Sequence, residues 1–276
     1  MRRLFLILTV LACSFTLPAQ NLTILHLNDT HSHIEPERSG PLVGHGGVIE
    51  QAAYVDSVRT ADGAANVMLL HAGDFSQGSS YFTELNGDLE IDVINAIAYD
   101  AVCLGNHEFD NGVVELARRL SNIKVPVVCA NYNFTGSPLE GLVKPYVIIE
   151  KAGKKVGVVG LLTDLTDVVS ADVSLVIKYQ DPKDALNVSA EELKAKGCDL
   201  VIALTHLGYE GEAYTDFELA SVTRNVDIIV GGHSHTELKD YGQTKNLDGR
   251  KVVIVTDGKW GLNIGKLTVR SEEQHV

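Results

Sequence analysis

At 276 residues with 45% hydrophobic content, the chain is long enough for one large α/β domain or two small ones, and a disordered polymer is excluded. A formal net charge of −13 and a pI near 5.1 exclude a nucleic-acid polymer as partner, because phosphate neutralisation calls for basic patches. A small phosphate ester stays open, provided metal cations supply positive charge locally.

Met1 to Gln20 begins with Arg2 and Arg3, runs through an apolar stretch from Leu4 to about Ala12, and ends in Leu17-Pro18-Ala19-Gln20. That pattern reads as a signal peptide over 1–20, with a domain over 21–276 exported to a periplasmic or extracellular compartment. Val10-Leu11-Ala12-Cys13 is similar to a bacterial lipoprotein cleavage site, which leaves a lipid anchor through Cys13 open. Arg2-Arg3-Leu4-Phe5-Leu6 partly resembles a twin-arginine signal, but the short basic region favours ordinary secretion. No later segment approaches the roughly 20 apolar residues of a membrane-spanning helix, so the mature chain is expected to have none.

From Asn21 onward, apolar runs alternate with helical periods, the mark of a largely parallel sheet with helices on its faces. Strands are predicted at Thr23–Leu27, Val67–Leu70, Ala101–Leu104, Val125–Ala130, Leu200–Leu204, Ile228–Val230, Val252–Val255 and Ile264–Val269. Helices are predicted from Val48 through Val55, over Gly87–Tyr99 with Ile91, Ile94 and Ala98 on one face, and from Asp110-Asn111 through Leu120. Tyr146–Ile149 and Val156–Leu161 flank Gly153-Lys154 as a hairpin, after a long loop from Asn131 to Pro145. Asp181-Pro182 starts a helix that Gly197 stops, and Thr215 with Glu218 forms a capping box for another. No interior stretch reads as a domain boundary. Cys103, Cys129 and Cys198, in or beside apolar runs at irregular spacing, read as buried thiols.

Polar clusters follow these strands: Asp29-Thr30-His31, Gly73-Asp74, Gly105-Asn106-His107-Glu108-Phe109-Asp110, Thr205-His206 and Gly232-His233-Ser234-His235. Any one of them reads equally as a turn rich in capping residues. Together, at parallel strand ends that line up along one sheet edge, they assemble a site. Asp29, His31, Asp74, Asn106, His206, His233 and His235 form an oxygen- and imidazole-rich set without cysteine, suited to Mn, Fe, Zn or Co in a catalytic centre. One carboxylate shared between two divalent metal ions leaves each with four protein ligands and room for water and substrate. His107, with Asp110 three positions on, is a natural acid and its orienter. His26, His33, His45 and His71 are read as core, surface or supporting histidines, and Asp92, Asp100, Asp164 and Asp167 as solvated or capping residues.

In their order along the chain, these motifs resemble those of the calcineurin-like metallophosphoesterases. The longer block Leu104 to Gly112, Ile24 to His31, Gly73-Asp74-Phe75-Ser76-Gln77-Gly78 and Trp260-Gly261 through Ile264-Gly265 are similar to the N-terminal catalytic domain of the 5′-nucleotidase family. The resemblance implies a single-domain, four-layer α/β/β/α sandwich and a hydrolase of nucleotide catabolism. It implies one ion held by Asp29, His31, Asp74 and His235, and a second held by Asp74, Asn106, His206 and His233. His107 and Asp110 become the catalytic dyad, and a metal-bridging hydroxide attacks phosphorus. The expected activity is therefore that of a secreted, dinuclear phosphoesterase acting on nucleotide phosphate esters. Alternatives are a broader phosphomonoesterase, a 2′,3′-cyclic nucleotide phosphodiesterase, or a metal-bound module that binds a partner. Two departures from the family pattern stand out. His235 occupies a place where several nucleotidases carry an amide, and the chain ends at Val276, where family members continue into a C-terminal nucleoside-binding domain. That domain is expected to be absent here, with a separately encoded chain as a candidate partner supplying the nucleoside pocket.

Overall fold

The computed structural model describes residues 20–166, 169–211 and 214–271; the expected signal peptide up to position 19, Cys13 included, and Asp167 lie outside the described residues. The strand Leu22–Leu27 is buried at every position, as expected of a strand covered on both faces. It pairs in parallel with Val67–His71, Ile24 opposite Met68 and Leu25 opposite Leu69. Ala101–Cys103, Val127–Val128 and Val143–Lys144 extend this sheet in parallel on one side, and Gly265–Val269 closes the other side antiparallel.

A second six-stranded sheet has the order Gly242–Lys245, Lys251–Val255, Ile228–Val230, Leu200–His206, Lys154–Leu162, Tyr146–Lys151. Its four central strands are parallel and both edges are antiparallel.

Strand periodicity sorts the side chains into layers. Leu22, Ile24, Met68 and Leu70 face inward and pack with Val156, Val158, Ile202 and Val230 of the other sheet. Leu25, Leu27 and Leu69 point outward beneath the helices Val48–Asp62, Asp88–Ile97 and Gly112–Leu120, which contribute Val55, Ile94 and Leu116. On the far side, Val159, Val201 and Ile229 lie under Pro182–Ala195 and Asp216–Ser221, which contribute Leu186, Leu193 and Leu219. The result is the expected four-layer α/β/β/α sandwich. At Gly160 the two sheets nearly touch: a Cβ there would collide with the Val128 carbonyl, and Ala130 N donates to Gly160 O at 2.7 Å. Among the described residues, no helix is long and apolar enough to cross a membrane.

The caps form as the sequence implies. Asp181 accepts from Lys183 N, Thr215 accepts from Glu218 N, and the Glu218 carboxylate accepts from Thr215 N, each cap contributing about 1 kcal/mol. Cys103, Cys129 and Cys198 are buried free thiols.

Several boundaries differ from expectation. Ala98 is exposed in the left-handed conformation that ends its helix, and Ile97 is the buried residue instead. The hairpin turn is Ala152-Gly153, one residue earlier than expected, with φ of 52° and 70°, the positive pair that a two-residue turn between right-twisted strands requires. The strand at Val125–Ala130 shrinks to Val127–Val128 because Ala130 bonds across to the facing sheet. The loop from Asn131 holds a two-residue pairing of Tyr132–Asn133 with Lys178–Tyr179 as well as the edge strand Val143–Lys144. Gly242–Lys245, with Gln243 and Lys245 exposed, offers no apolar run, and the short helices Ser80–Leu85 and Ala171–Val176 leave no full helical period to read.

Candidate metal centre and active site

The C-terminal ends of both sheets meet at one place. Asp29 and His31 follow Leu22–Leu27, Asp74 follows Val67–His71, and Asn106 and His107 follow Ala101–Cys103, all in the first sheet. From the second sheet, His206 is the last residue of its strand, two residues beyond the predicted strand end, and His233 and His235 follow Ile228–Val230. The loops of the first sheet continue its ladder past the strands: Asp29 N donates to Gly73 O, His31 N to Asp74 O and Ser32 N to Phe75 O, at 3.0 to 3.1 Å. Gly73, at φ +85°, is needed at this crowded point, where a Cβ would stand 2.7 Å from both Gly105 N and His206 Nδ1.

Asp29, His31, Asp74, His233 and His235 all adopt positive φ, between 46° and 79°. Non-glycine residues held this way cost on the order of 1–3 kcal/mol each and cluster where function demands the geometry.

Eight of the nine predicted site residues are linked by close contacts, and the ninth, Asn106, precedes His107 in the same loop. His31 Nε2 lies 3.0 Å from His235 Nε2, 3.7 Å from Asp29 Oδ1 and 3.9 Å from Asp74 Oδ2, and His235 Nε2 lies 3.4 Å from Asp29 Oδ1. His206 Nε2 is 3.0 Å from Asp74 Oδ2 and 3.9 Å from Asp29 Oδ1, with the His233 ring 5.0 Å away centroid to centroid. Asp29, His31 and His235 thus form one group with metal-binding spacing, and Asp74, His206 and His233 form a second. His31, Asp74 and His107 also fall within that spacing. Asp74 Oδ2 approaches both His31 and His206, and Asp29 Oδ1 approaches His31, His235 and His206, so both carboxylates reach across the two groups.

The electrostatics describe a basin of negative charge. Burial would lower the pKa of His206, but the carboxylates of Asp74 and Asp29 outweigh it and push it up to about 10. Burial likewise opposes ionisation of Asp74 and Asp29, yet His206 holds both below the usual carboxylate range. Burial pushes His31 and His233 down to about 4, leaving them as neutral imidazoles, the form that ligates metal. Among the described residues of the site, Asp29 Oδ1 and Asn106 Oδ1 are buried without a hydrogen-bond partner. Such orphans are uncommon and are what a cation would satisfy, so the donor set fits divalent metal. His206 Nδ1 lies 2.7 Å from the carbonyl of Ala72; a carbonyl only accepts, so Nδ1 carries hydrogen and Nε2 is the nitrogen turned toward Asp74.

His107 sits at the rim, its side chain 33% exposed, with Nδ1 2.9 Å from Asp110 Oδ2. That hydrogen bond raises its pKa. Its backbone N–H donates to Asp74 Oδ1 at 2.9 Å, so the residue supports a ligand through the main chain while its ring is free for other chemistry.

Two supporting residues stood outside the predicted set. Asn28 Nδ2 donates to Asp29 Oδ2 and to Gly258 O, both at 2.7 Å. Glu108, fully buried, accepts from the backbone N–H groups of Gly105, Asp74 and Ser76; burial and the neighbouring Asp74 charge push it up to about 7. The position of Glu108 inside a polar block was visible in the sequence, but the partners of its carboxylate were not. Among the described residues, the other histidines fall in none of the groups with metal-binding spacing. His26 Nδ1 pairs with Asp257 at 2.7 Å, His33 pairs with Glu37 and stacks on Trp260, His71 contacts Thr30 Oγ1 at 3.0 Å, and His45 is exposed. Asp92 is exposed, Asp100 accepts from Leu69 N and pairs with Lys151, and Asp164 caps Thr166.

Comparison with known proteins shows the same fold in relatives. The human (Homo sapiens) 5′-nucleotidase is 36% identical over 279 residues, spanning 93% of this chain and 47% of that protein. A solved 5′-nucleotidase precursor from Thermus thermophilus superposes with a TM-score of 0.83 at 35% identity, over 91% of this chain and 51% of that one. A solved NAD nucleotidase from Haemophilus influenzae gives 0.80 at 30% identity, over 90% and 47%. The chain thus spans about half the length of the relatives it matches. The model of the calcineurin-like phosphoesterase family matches residues 22–237, and the chain belongs to that family.

Proposed function

We propose that the chain is a secreted, dinuclear metal-dependent phosphoesterase that hydrolyses phosphate esters of nucleotides. The observation that carries this reading is the pair of adjoining metal-capable groups, Asp29-His31-His235 and Asp74-His206-His233, bridged by the approach of Asp74 to His31, with the His107–Asp110 pair beside them. Asp29, His31, Asp74 and His235 would hold one ion, and Asp74, Asn106, His206 and His233 the other. Bound there, two divalent cations of the Zn, Mn, Fe or Co type supply Lewis acidity toward a phosphoryl group and a water of lowered pKa.

The chain's own residues do the rest. Asp110 fixes the His107 tautomer and favours its protonated form, so the other ring nitrogen delivers a proton to the departing alcohol oxygen. Asn28, through Asp29, keeps the first loop in place, and the Ala72 carbonyl turns His206 Nε2 toward Asp74. Relatives named as 5′-nucleotidases and as an NAD nucleotidase support nucleotides as the substrate class. Export rests on the signal-peptide pattern of Met1 to Gln20.

The test is a hydrolysis screen of nucleoside monophosphates, cyclic nucleotides, dinucleotides and aryl phosphates with Mn²⁺ or Zn²⁺. Turnover of nucleotides that is abolished by a chelator and restored by metal is expected. A protein that takes up two ions yet hydrolyses none of these esters would instead be a metal-bound binding module.

A further inference from the structure

Glu108 and Arg119 are both fully buried, and the charged ends of both point at main chain and hydroxyl groups. Glu108 Oε2 accepts from Gly105 N at 2.6 Å and Asp74 N at 2.9 Å, and Oε1 accepts from Ser76 N at 3.0 Å. These donors belong to two separate loops. One carries Asp74, and the other carries Asn106 and His107. Arg119, on the helix Gly112–Leu120, stands behind them: its Nη1 donates to Ser76 Oγ at 2.8 Å and its Nη2 to the Glu108 carbonyl at 2.5 Å, with the Phe82 ring 5.7 Å from the guanidinium carbon. Burying two charged groups is unfavourable unless hydrogen bonds compensate, and apolar residues of similar volume would fill the space at less cost. What an apolar pair cannot do is hold two loops at a fixed separation through directional bonds to backbone N–H groups.

We infer that Glu108, braced by Arg119, is a positioning residue that sets the distance between Asp74 and the Asn106–His107 loop and so tunes the affinity of the second metal site. This rests on the dinuclear reading above. The Glu108 carboxylate accepts from three backbone N–H groups and stands outside the groups with metal-binding spacing, so it acts through the ligands. Partners of metal ligands typically change metal affinity about 10–100-fold when altered.

The test is a stepwise Mn²⁺ titration of chelator-stripped protein, wild type against Glu108→Gln, with thermal melts alongside. Glutamine keeps the size but sets an NH₂ against backbone donors. The ion assigned to Asp74, Asn106, His206 and His233 should bind about 10–100-fold more weakly, because both Asp74 and Asn106 sit on the loops that Glu108 ties, and the ion at Asp29, His31, Asp74 and His235, with only Asp74 on those loops, should weaken less. On activity, kcat should fall more than KM rises. Two equal Mn²⁺ affinities in variant and wild type overturn the inference and leave the dinuclear reading intact. Equal weakening of both ions in step with a lowered melting temperature assigns Glu108 to folding alone and overturns it as well. A wild type that binds fewer than two ions sinks the dinuclear reading itself. Should Glu108→Gln not fold, Ser76→Ala decides: it removes one Arg119 bond and leaves the Glu108 carboxylate contacts in place. A several-fold weakening of the second ion is expected, and an unchanged titration counts against the clamp.

Discussion

Replacing His107 with glutamine separates proton delivery from metal binding, because the structure divides the two between side chain and backbone. The His107 N–H bond to Asp74 Oδ1 comes from the main chain and is kept by glutamine, so the ligand geometry should persist and both ions should load normally. What disappears is the imidazole whose Nδ1 is held by Asp110 at 2.9 Å. A general acid contributes about 10²–10⁴ in rate, so kcat on a nucleoside monophosphate should fall by that factor, about 3–5 kcal/mol of barrier, with KM little changed. The loss should depend on the leaving group. A nucleoside leaves as a poor alkoxide that needs a proton, whereas 4-nitrophenolate departs without one, so the variant should lose far less activity on 4-nitrophenyl phosphate. Initial rates on both esters, with metal content measured by elemental mass spectrometry, complete the assay. An equal loss on the two esters, or loss of metal, would refute the assignment. The pH profile gives a second check. Asp110 raises the His107 pKa, so activity that needs the protonated ring is present below that pKa and lost as pH rises through it. Asp110→Asn should move this alkaline limb to lower pH.

Other consequences can be checked separately. Asp74→Asn removes the carboxylate that faces both metal groups, and elemental analysis should find at most one ion per chain where the wild type holds two; an undiminished content would show that Asp74 is not shared. His71, buried and pushed down to about 3 by desolvation, is neutral in the fold but takes up a proton near its ordinary pKa of about 6.5 when unfolded. Its stability contribution is therefore fully present above about pH 6.5 and lost as pH falls toward 3, at up to about 1.4 kcal/mol per pH unit. His71→Gln should flatten that part of a melting-temperature profile, and an unchanged slope would place the acid sensitivity elsewhere. Gly160→Ala drives a methyl group into the Val128 carbonyl between the sheets, and chemical denaturation should show a loss of at least about 1–3 kcal/mol; a loss under about 0.5 kcal/mol, the range of a neutral surface change, would mean that the sheets can separate there.

Much of the centre was legible from local pattern. An uninterrupted apolar run such as Val67–Leu70 needs cover on both faces, so the polar Asp74 just beyond it had to lie at an edge, and the same holds for His233 and His235 after Ile228–Val230. Local pattern was weaker where neighbours decide. Ala98 fits the helical period as well as Ile97 does, but the left-handed cap excludes it from the core. His26, His31 and His206 are all buried histidines close to apolar strands, yet only His31 and His206 join the centre, and His26 turns to Asp257. Glu108 was legible as a polar residue in a polar block, but its function follows from which backbone N–H groups face it.

By itself the sequence settled the chemical inventory, carboxylates, imidazoles and an amide without thiols, and its placement after strands, because side-chain type and hydrophobic period are local properties. The tertiary structure alone decided that two separate sheets present those strand ends to each other, that Asp29, His31, Asp74, His233 and His235 take left-handed backbone, and that Asp74 approaches His31 as well as His206. Those features depend on packing between residues far apart in the chain, such as Ala72 with His206 and Asp29 with His233, and no local period encodes such contacts.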